Sequence, residues 1–193
     1  MFMSSDTQIN EISIAAWNID GYKNKIDEPD FYNEILKHHI LFFTETHSND
    51  NSLQIEGFKT QNVCFQKKSG KRGKTPYGIS VLIKNNISKY VTVVRVTAKH
   101  FIWVKISKSL TGYANDVFCC GLYIPPAGSI YYTRHPDTNL FDTLNADILH
   151  FGSIGDVLLT GDFNAHTGTL ADTLSQSELL DHANILPAND LLN

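Results

Sequence analysis

Asp162 and Asn164 stand two positions apart behind an apolar run, offering a carboxylate and a carboxamide. The run Val157-Leu158-Leu159 reads as a buried strand that stops at Gly161. In extended backbone, residues i and i+2 share a face. That spacing predicts that Asp162 and Asn164 converge on one substrate atom, with Phe163 turned into the core behind them. A carboxylate only accepts hydrogen bonds, whereas a carboxamide both donates and accepts. The pair therefore suits orientation of a water molecule against a phosphate. Alone, the same residues are also what a strand ending in a polar turn would carry.

Three upstream runs end in the same manner: Trp17-Asn18-Ile19-Asp20-Gly21, Thr44-Glu45-Thr46-His47 and Gly121-Leu122-Tyr123-Ile124-Pro125-Pro126. A carboxylate at the end of so apolar a strand as Leu41-Phe42-Phe43 is unusual, so Glu45 points to chemistry. By themselves, Asn18 reads as a strand terminator and Tyr123 as a core or rim aromatic. His47 and His166 read as structural histidines near polar turns.

The elements that must position these groups follow from periodicity. Strands are expected over residues 12–17, 40–43, 78–84, 91–97, 101–107, 117–123 and the run into Gly161. A short helix over 30–38 has Phe31, Ile35 and Leu36 on one side and Pro29 just before it. A longer helix over 138–151 carries Leu140, Phe141, Leu144, Ile148 and Phe151 at helical spacing. Strands and helices mixed in this order imply an α/β arrangement with helices on the outer faces of sheets. Open α/β sheets build their sites at the carboxyl ends of strands, where the four polar groups fall.

Composition narrows the class. At 193 residues, with 42% hydrophobic and 19% charged, one globular domain is the expectation. A net charge of −4 provides no global basic field for nucleic acid. Cys64, Cys119 and Cys120 form no CxxC pair or disulfide framework, which fits a reducing compartment and an intracellular soluble chain. Cys119 and Cys120 should point to opposite faces of their strand. The polar first residues show no signal-peptide pattern, and no apolar run is long enough to span a membrane.

The four segments, in this order and spacing, resemble the endonuclease/exonuclease/phosphatase superfamily of DNase I-like enzymes. Gly161-Asp162-Phe163-Asn164-Ala165-His166-Thr167-Gly168 and Glu45-Thr46-His47 look most like the endonuclease domain of non-LTR retrotransposons. The resemblance implies a four-layer α/β/β/α sandwich of two mixed sheets, and Mg2+-dependent phosphodiester hydrolysis that nicks DNA. It implies Glu45 and Asn18 as the metal-site pair, with Glu45 the main ligand to Mg2+, or Mn2+ in its place. It implies that Tyr123 contacts the phosphate, that Asp162 orients or deprotonates the attacking water, and that Asn164 holds that water. DNA would be the partner, with no membrane and no obligate protein partner, and the nucleus the place of action.

Between two strand runs, Lys67, Lys68, Lys71, Arg72 and Lys74 put five positive charges among small residues. This is either a hairpin-like loop that grips a phosphate backbone or an ordinary solvated loop. The family ends with a Ser-Asp-His segment on a late strand, and this chain shows none. Asp172, Asp181-His182 and Asp190 lack the strand context. The expectation is one domain over 1–193, incomplete at the C-terminus with its last strands missing and its activity impaired. Two alternatives remain: a catalytically dead remnant that binds nucleic acid, and a phosphodiesterase or phosphatase of the same fold acting on a small phosphate ester.

Overall fold

A computed structural model describes residues 11–48, 53–64 and 77–165. In chain order the elements are β1 (Ile14–Asn18), α1 (Pro29–Ile35), β2 (Ile40–Thr44), β3 (Phe58–Val63), β4 (Ile79–Lys84), β5 (Val91–Thr97), β6 (Phe101–Ile106), α2 (Lys108–Thr111), β7 (Val117–Tyr123), α3 (Ile130–Arg134), α4 (Leu140–Gly152) and β8 (Asp156–Asp162). The strands form two four-stranded sheets, ordered β1-β2-β4-β3 and β5-β6-β7-β8. Both are mixed: β1 with β2 and β7 with β8 run parallel, and the other neighbours run antiparallel.

Side-chain alternation divides the core into three layers of contact. Phe42 and Ile40 of β2, Val81 and Ile83 of β4, Ile102 and Val104 of β6, and Cys119 of β7 pack between the sheets. On the outer face of the first sheet, Leu41 and Phe43 meet Phe31 and Ile35 of α1. On the outer face of the second, Trp103, Phe118, Cys120 and Leu122 meet Leu140, Leu144 and Phe151 of α4. Helix, sheet, sheet and helix therefore stack in four layers, the sandwich expected. Cys119 and Cys120 do face opposite ways, and burial pushes the Cys119 thiol up to about 12.

Local chemistry explains the helices. Pro29 opens α1, where its missing N–H costs nothing. The Asn139 side chain caps α4, accepting from the N–H groups of Phe141 and Asp142 at 3.0 and 3.3 Å. Leu140, Leu144, Asp147 and Phe151 then form its buried stripe. Asp147 is the polar member of that stripe, 4% exposed. It accepts from Arg95 Nη1 at 2.6 Å, Thr97 Oγ1 at 2.7 Å and Trp103 Nε1 at 2.9 Å, fastening α4 to β5 and β6. The two sheets approach closely where Gly121 of β7 faces Phe42, because a Cβ on Gly121 would overlap the phenyl ring.

The expected strands over 91–97 and 117–123 are found with those bounds, and the others shift by a residue or two. The first helix ends at Ile35 rather than His38, and β1 begins at Ile14 rather than Ile12. Three elements were not expected: β3, α2 and α3. The strand β3, Phe-Lys-Thr-Gln-Asn-Val, lies at a sheet edge and is mostly polar, so it lacks the apolar pattern that marks a strand. Phe163 is not in the core. It is 36% exposed, because the chain leaves the extended conformation at Asn164, whose φ is 44°.

Candidate active site

Parallel pairing explains why four distant segments share one place. The parallel pairs β1–β2 and β7–β8 each put two carboxyl ends together. Asn18 is registered with Thr44 in the first sheet, and Tyr123 with Asp162 in the second. The ladder continues past β1 and β2, with Ile19 N–H donating to Thr44 O, Gly21 N–H to Glu45 O and Tyr22 N–H to Thr46 O. On the other side, Thr46 and His47 N–H donate to the carbonyls of Gly78 and Tyr77. A side chain at Gly78 would collide with Thr46, so glycine permits this close approach. At Gly161, φ is 141° and a Cβ would overlap the Leu122 backbone, so β8 can lie against β7 there only with glycine.

Three residues of the first-sheet loops have left-handed backbone: Asp20 (φ 42°), Glu45 (φ 51°) and His47 (φ 49°). Such values are uncommon outside glycine and cluster at functional positions. Their side chains converge. His47 Nε2 lies 3.3 Å from Asp20 Oδ1 and 3.7 Å from Glu45 Oε2. One donor atom from each of the three falls within 4.8 Å of the others. Among the described residues, this is the group of three His, Cys, Asp or Glu side chains close enough to share an ion.

Two hydrogen bonds close the gap between the sheets. The Tyr123 hydroxyl donates to Glu45 Oε1 at 2.9 Å. Asn18 Nδ2 donates to Asp162 Oδ2 at 2.9 Å, while Asn18 Oδ1 accepts from the Asp20 N–H at 3.2 Å. The second Asp162 oxygen accepts from the Asn164 N–H at 3.0 Å, so both carboxylate oxygens are held. Burial is the main force raising the Tyr123 phenol above its ordinary range, followed by its hydrogen bond to Glu45 and the charges of Glu45 and Asp162. The phenol therefore remains a proton donor.

Behind Tyr123 sits His100, buried, with its Nδ1 3.0 Å from the Tyr123 carbonyl. The His100 ring stacks on Tyr123 and meets Tyr131 edge-on at 4.7 Å. Burial pulls its pKa down to about 4, against a smaller opposing effect of the Tyr123 hydrogen bond. Tyr77 lies over the same ring system, 5.5 Å from Tyr123.

Of the residues singled out in the sequence, Glu45, Tyr123, Asp162 and Asn18 are brought together. Asn164 joins through its main chain, while its side-chain amide donates to Ile124 O at 2.9 Å. Asp162 and Asn164 thus do not present their side chains side by side, since the left-handed turn at Asn164 ends the i, i+2 alternation. Lys67, Lys68, Lys71, Arg72 and Lys74 lie outside the described residues. The strands flanking them, β3 and β4, are antiparallel partners with Val63 opposite Ile79, as a hairpin requires. Asp20, His47 and His100 were not singled out for chemistry. The repeated polar-x-polar spacing, Asn18-x-Asp20 and Glu45-x-His47, was the available signal for the first two; His100 carries none.

A two-sheet sandwich with carboxylates, an amide and a phenol at its parallel strand ends defines a recognised class. Residues 15–183 match the Endonuclease/Exonuclease/phosphatase family, and the chain belongs to it. No curated protein matches the sequence. The AP endonuclease LMAP from Leishmania major is similar with a TM-score of 0.56 and 16% identity, over 78% of this chain and 54% of that one. An AP endonuclease from Archaeoglobus fulgidus is similar with a TM-score of 0.52 and 14% identity, over 88% of this chain and 63% of that one. The 3′ phosphatase NExo from Neisseria, bound to a product DNA hairpin, gives a TM-score of 0.51 and 14% identity, over 82% and 60%. At such identities the likeness is one of fold. The chain spans 54% to 63% of the length of these structures.

Proposed function

We propose that this chain is a divalent-metal-dependent phosphodiesterase that nicks DNA in the manner of retrotransposon endonucleases, with Mg2+ as its ion. Family membership supports hydrolysis of phosphate esters, and the Glu45-Thr46-His47 and Gly161-to-Gly168 strings favour the retrotransposon type. The carrying observation is the clamped Asp162 carboxylate, fixed by Asn18 and Asn164 and placed across the seam from the Tyr123–Glu45 pair.

The donor set fits a hard cation. Glu45 is the principal ligand in this proposal, Asp20 stands beside it, and Asn18 Oδ1, which accepts from the Asp20 N–H, keeps a second lone pair for the ion. A bound ion would supply charge neutralisation on the scissile phosphate and the leaving oxygen. Asp162 accepts a proton from the attacking water, which its two fixed oxygens orient for in-line approach. Asn18, holding Oδ2, keeps that carboxylate from rotating away. Tyr123, as a neutral phenol, spends its one O–H on Glu45 and so aims that carboxylate at the edge of the phosphate site. Lys67, Lys68, Lys71, Arg72 and Lys74 would contact the DNA backbone, giving affinity that falls with salt rather than sequence choice.

Nicking of supercoiled plasmid by the purified, cooperatively melting chain with Mg2+ tests this, beside Glu45→Ala and Asp162→Ala. Nicking should fall by at least about 100-fold in Asp162→Ala, the usual contribution of a positioned acid–base group, and should be lost with the ion in Glu45→Ala. Equal nicking in all three proteins, or none from the folded wild type, would refute it.

A further inference from the structure

We propose that His47 is a direct ligand of the metal site and widens its range beyond Mg2+ to divalent metals that accept nitrogen more readily than Mg2+ does, with Mn2+ as the probe. The inference rests on the metal-dependent reading of the site and deepens it by assigning a third donor. His47 Nε2 is the ring atom turned to both carboxylates, 3.3 Å from Asp20 Oδ1 and 3.7 Å from Glu45 Oε2. Ligands bound at about 2.0–2.2 Å in tetrahedral or octahedral arrangements lie roughly 3.0–3.5 Å apart. The observed separations are close to such edges. An ion drawn to Asp20 and Glu45 would have the imidazole nitrogen beside it, since one ligand atom of each residue lies within 4.8 Å of the others.

The loop itself is fixed at both sides. His47 N–H donates to Tyr77 O at 2.9 Å, and Gly78 lets Thr46 pack against the next strand. Glu45 cannot swing toward a different partner without losing its bond from Tyr123. Two carboxylates and one imidazole make a different environment from carboxylates alone. Mg2+ favours oxygen and holds its waters, whereas later divalent metals gain from nitrogen donors. An imidazole beside the carboxylates therefore selects by chemical type as well as by charge.

The test is electron spin echo modulation on Mn2+ bound to the full chain, which detects nitrogen coordinated to the ion without any assay of activity. Imidazole coupling is expected in the wild type, lost in His47→Ala and in His47→Gln, with Glu45→Ala abolishing tight binding altogether. By titration, Mn2+ should bind His47→Ala about tenfold more weakly, at least the loss caused by disturbing a ligand's support. Mg2+ affinity should change by much less than that. If His47→Ala fails to fold, His47→Gln carries the comparison with the wild type. Mn2+ bound through Glu45 with no nitrogen coupling overturns the role of His47 and leaves the phosphodiesterase reading in place. Coupling that survives in both folded His47 variants overturns it as well. Absence of any Glu45-dependent metal binding overturns both.

Discussion

Replacing Asp147 by alanine should cost about 3 kcal/mol, and the cost can be worked group by group. The carboxylate accepts from Trp103, Thr97 and Arg95 at 2.9, 2.7 and 2.6 Å while itself 4% exposed. Trp103 is fully buried, so its indole N–H would lose its acceptor with no water to replace it, a penalty of about 1–3 kcal/mol. Thr97 is half-buried and adds at most about 1 kcal/mol. Arg95 is different, because its side chain is 38% exposed and can turn its charge to solvent. That escape keeps the total near the lower end of the roughly 3–5 kcal/mol seen when a fully buried ion pair is broken. Asp147→Asn retains one acceptor and should cost roughly half as much. Urea unfolding followed by tryptophan fluorescence reads both the midpoint and the site, since Trp103 is one of two tryptophans in the chain. In heat the alanine variant should melt about 6–12 °C lower, at roughly 2–4 °C per kcal/mol for a chain of this size. A loss below about 1 kcal/mol at unchanged m-value would refute the reasoning, because it would mean that water reaches Trp103 or that α4 is not held by this network.

Two further outcomes follow from buried groups. His100, held at about 4 against its ordinary 6.5, binds its proton less readily folded than unfolded. Its stabilising effect is full above pH 6.5 and disappears as pH falls toward 4, about 3 kcal/mol in all, so the wild type should lose that much more stability than His100→Gln between pH 7 and 4. Parallel pH–stability curves for the two proteins would contradict it. Gly121→Ala should destabilise by about 2–3 kcal/mol in urea, since the new methyl overlaps Phe42 between the two sheets, and Gly121→Ala,Phe42→Leu should recover part of the loss. A neutral single variant would show that the sheets can separate at low cost.

How much of this was legible in the sequence depends on which force acts locally. Strands that alternate or run apolar, such as residues 91–97 and 117–123, declared themselves because burial fixes their pattern. The edge strand over Phe58–Val63 did not, since its backbone is held by β4 rather than by its own side chains. Glu45 and Asp162 were legible as carboxylates at the ends of apolar strands. Their partners were less so. Asp20 and His47 reach Glu45 through left-handed turns, which non-glycine residues adopt too seldom to be expected. The same conformation at Asn164 defeats the i, i+2 spacing that first drew attention to it, and leaves its amide on Ile124 instead. His100 lies at the far end of a tertiary contact with Tyr123, for which no sequence spacing exists.

The site is divided between the two sheets, and that division has a consequence for its chemistry. Asn18, Asp20, Glu45 and His47 come from the first sheet, and Tyr123, Asp162 and Asn164 from the second. Each half holds a carboxylate whose orientation depends on a donor from the other: Tyr123 on Glu45, and Asn18 on Asp162. Neither carboxylate is therefore correctly aimed unless the sheets are packed face to face. The packing is governed by the layer containing Phe42 and Cys119, together with the close approach permitted by Gly121. A change deep in that layer should then reach the strand ends as a change in the two crossing hydrogen bonds. Conversely, an ion drawn to the first-sheet carboxylates would fix Glu45, and through it the Tyr123 hydroxyl of the second sheet. Stability and site geometry are in this way one property of the seam, and a ligand that binds only the folded chain there must stabilise it by an amount that grows with the logarithm of its concentration over Kd.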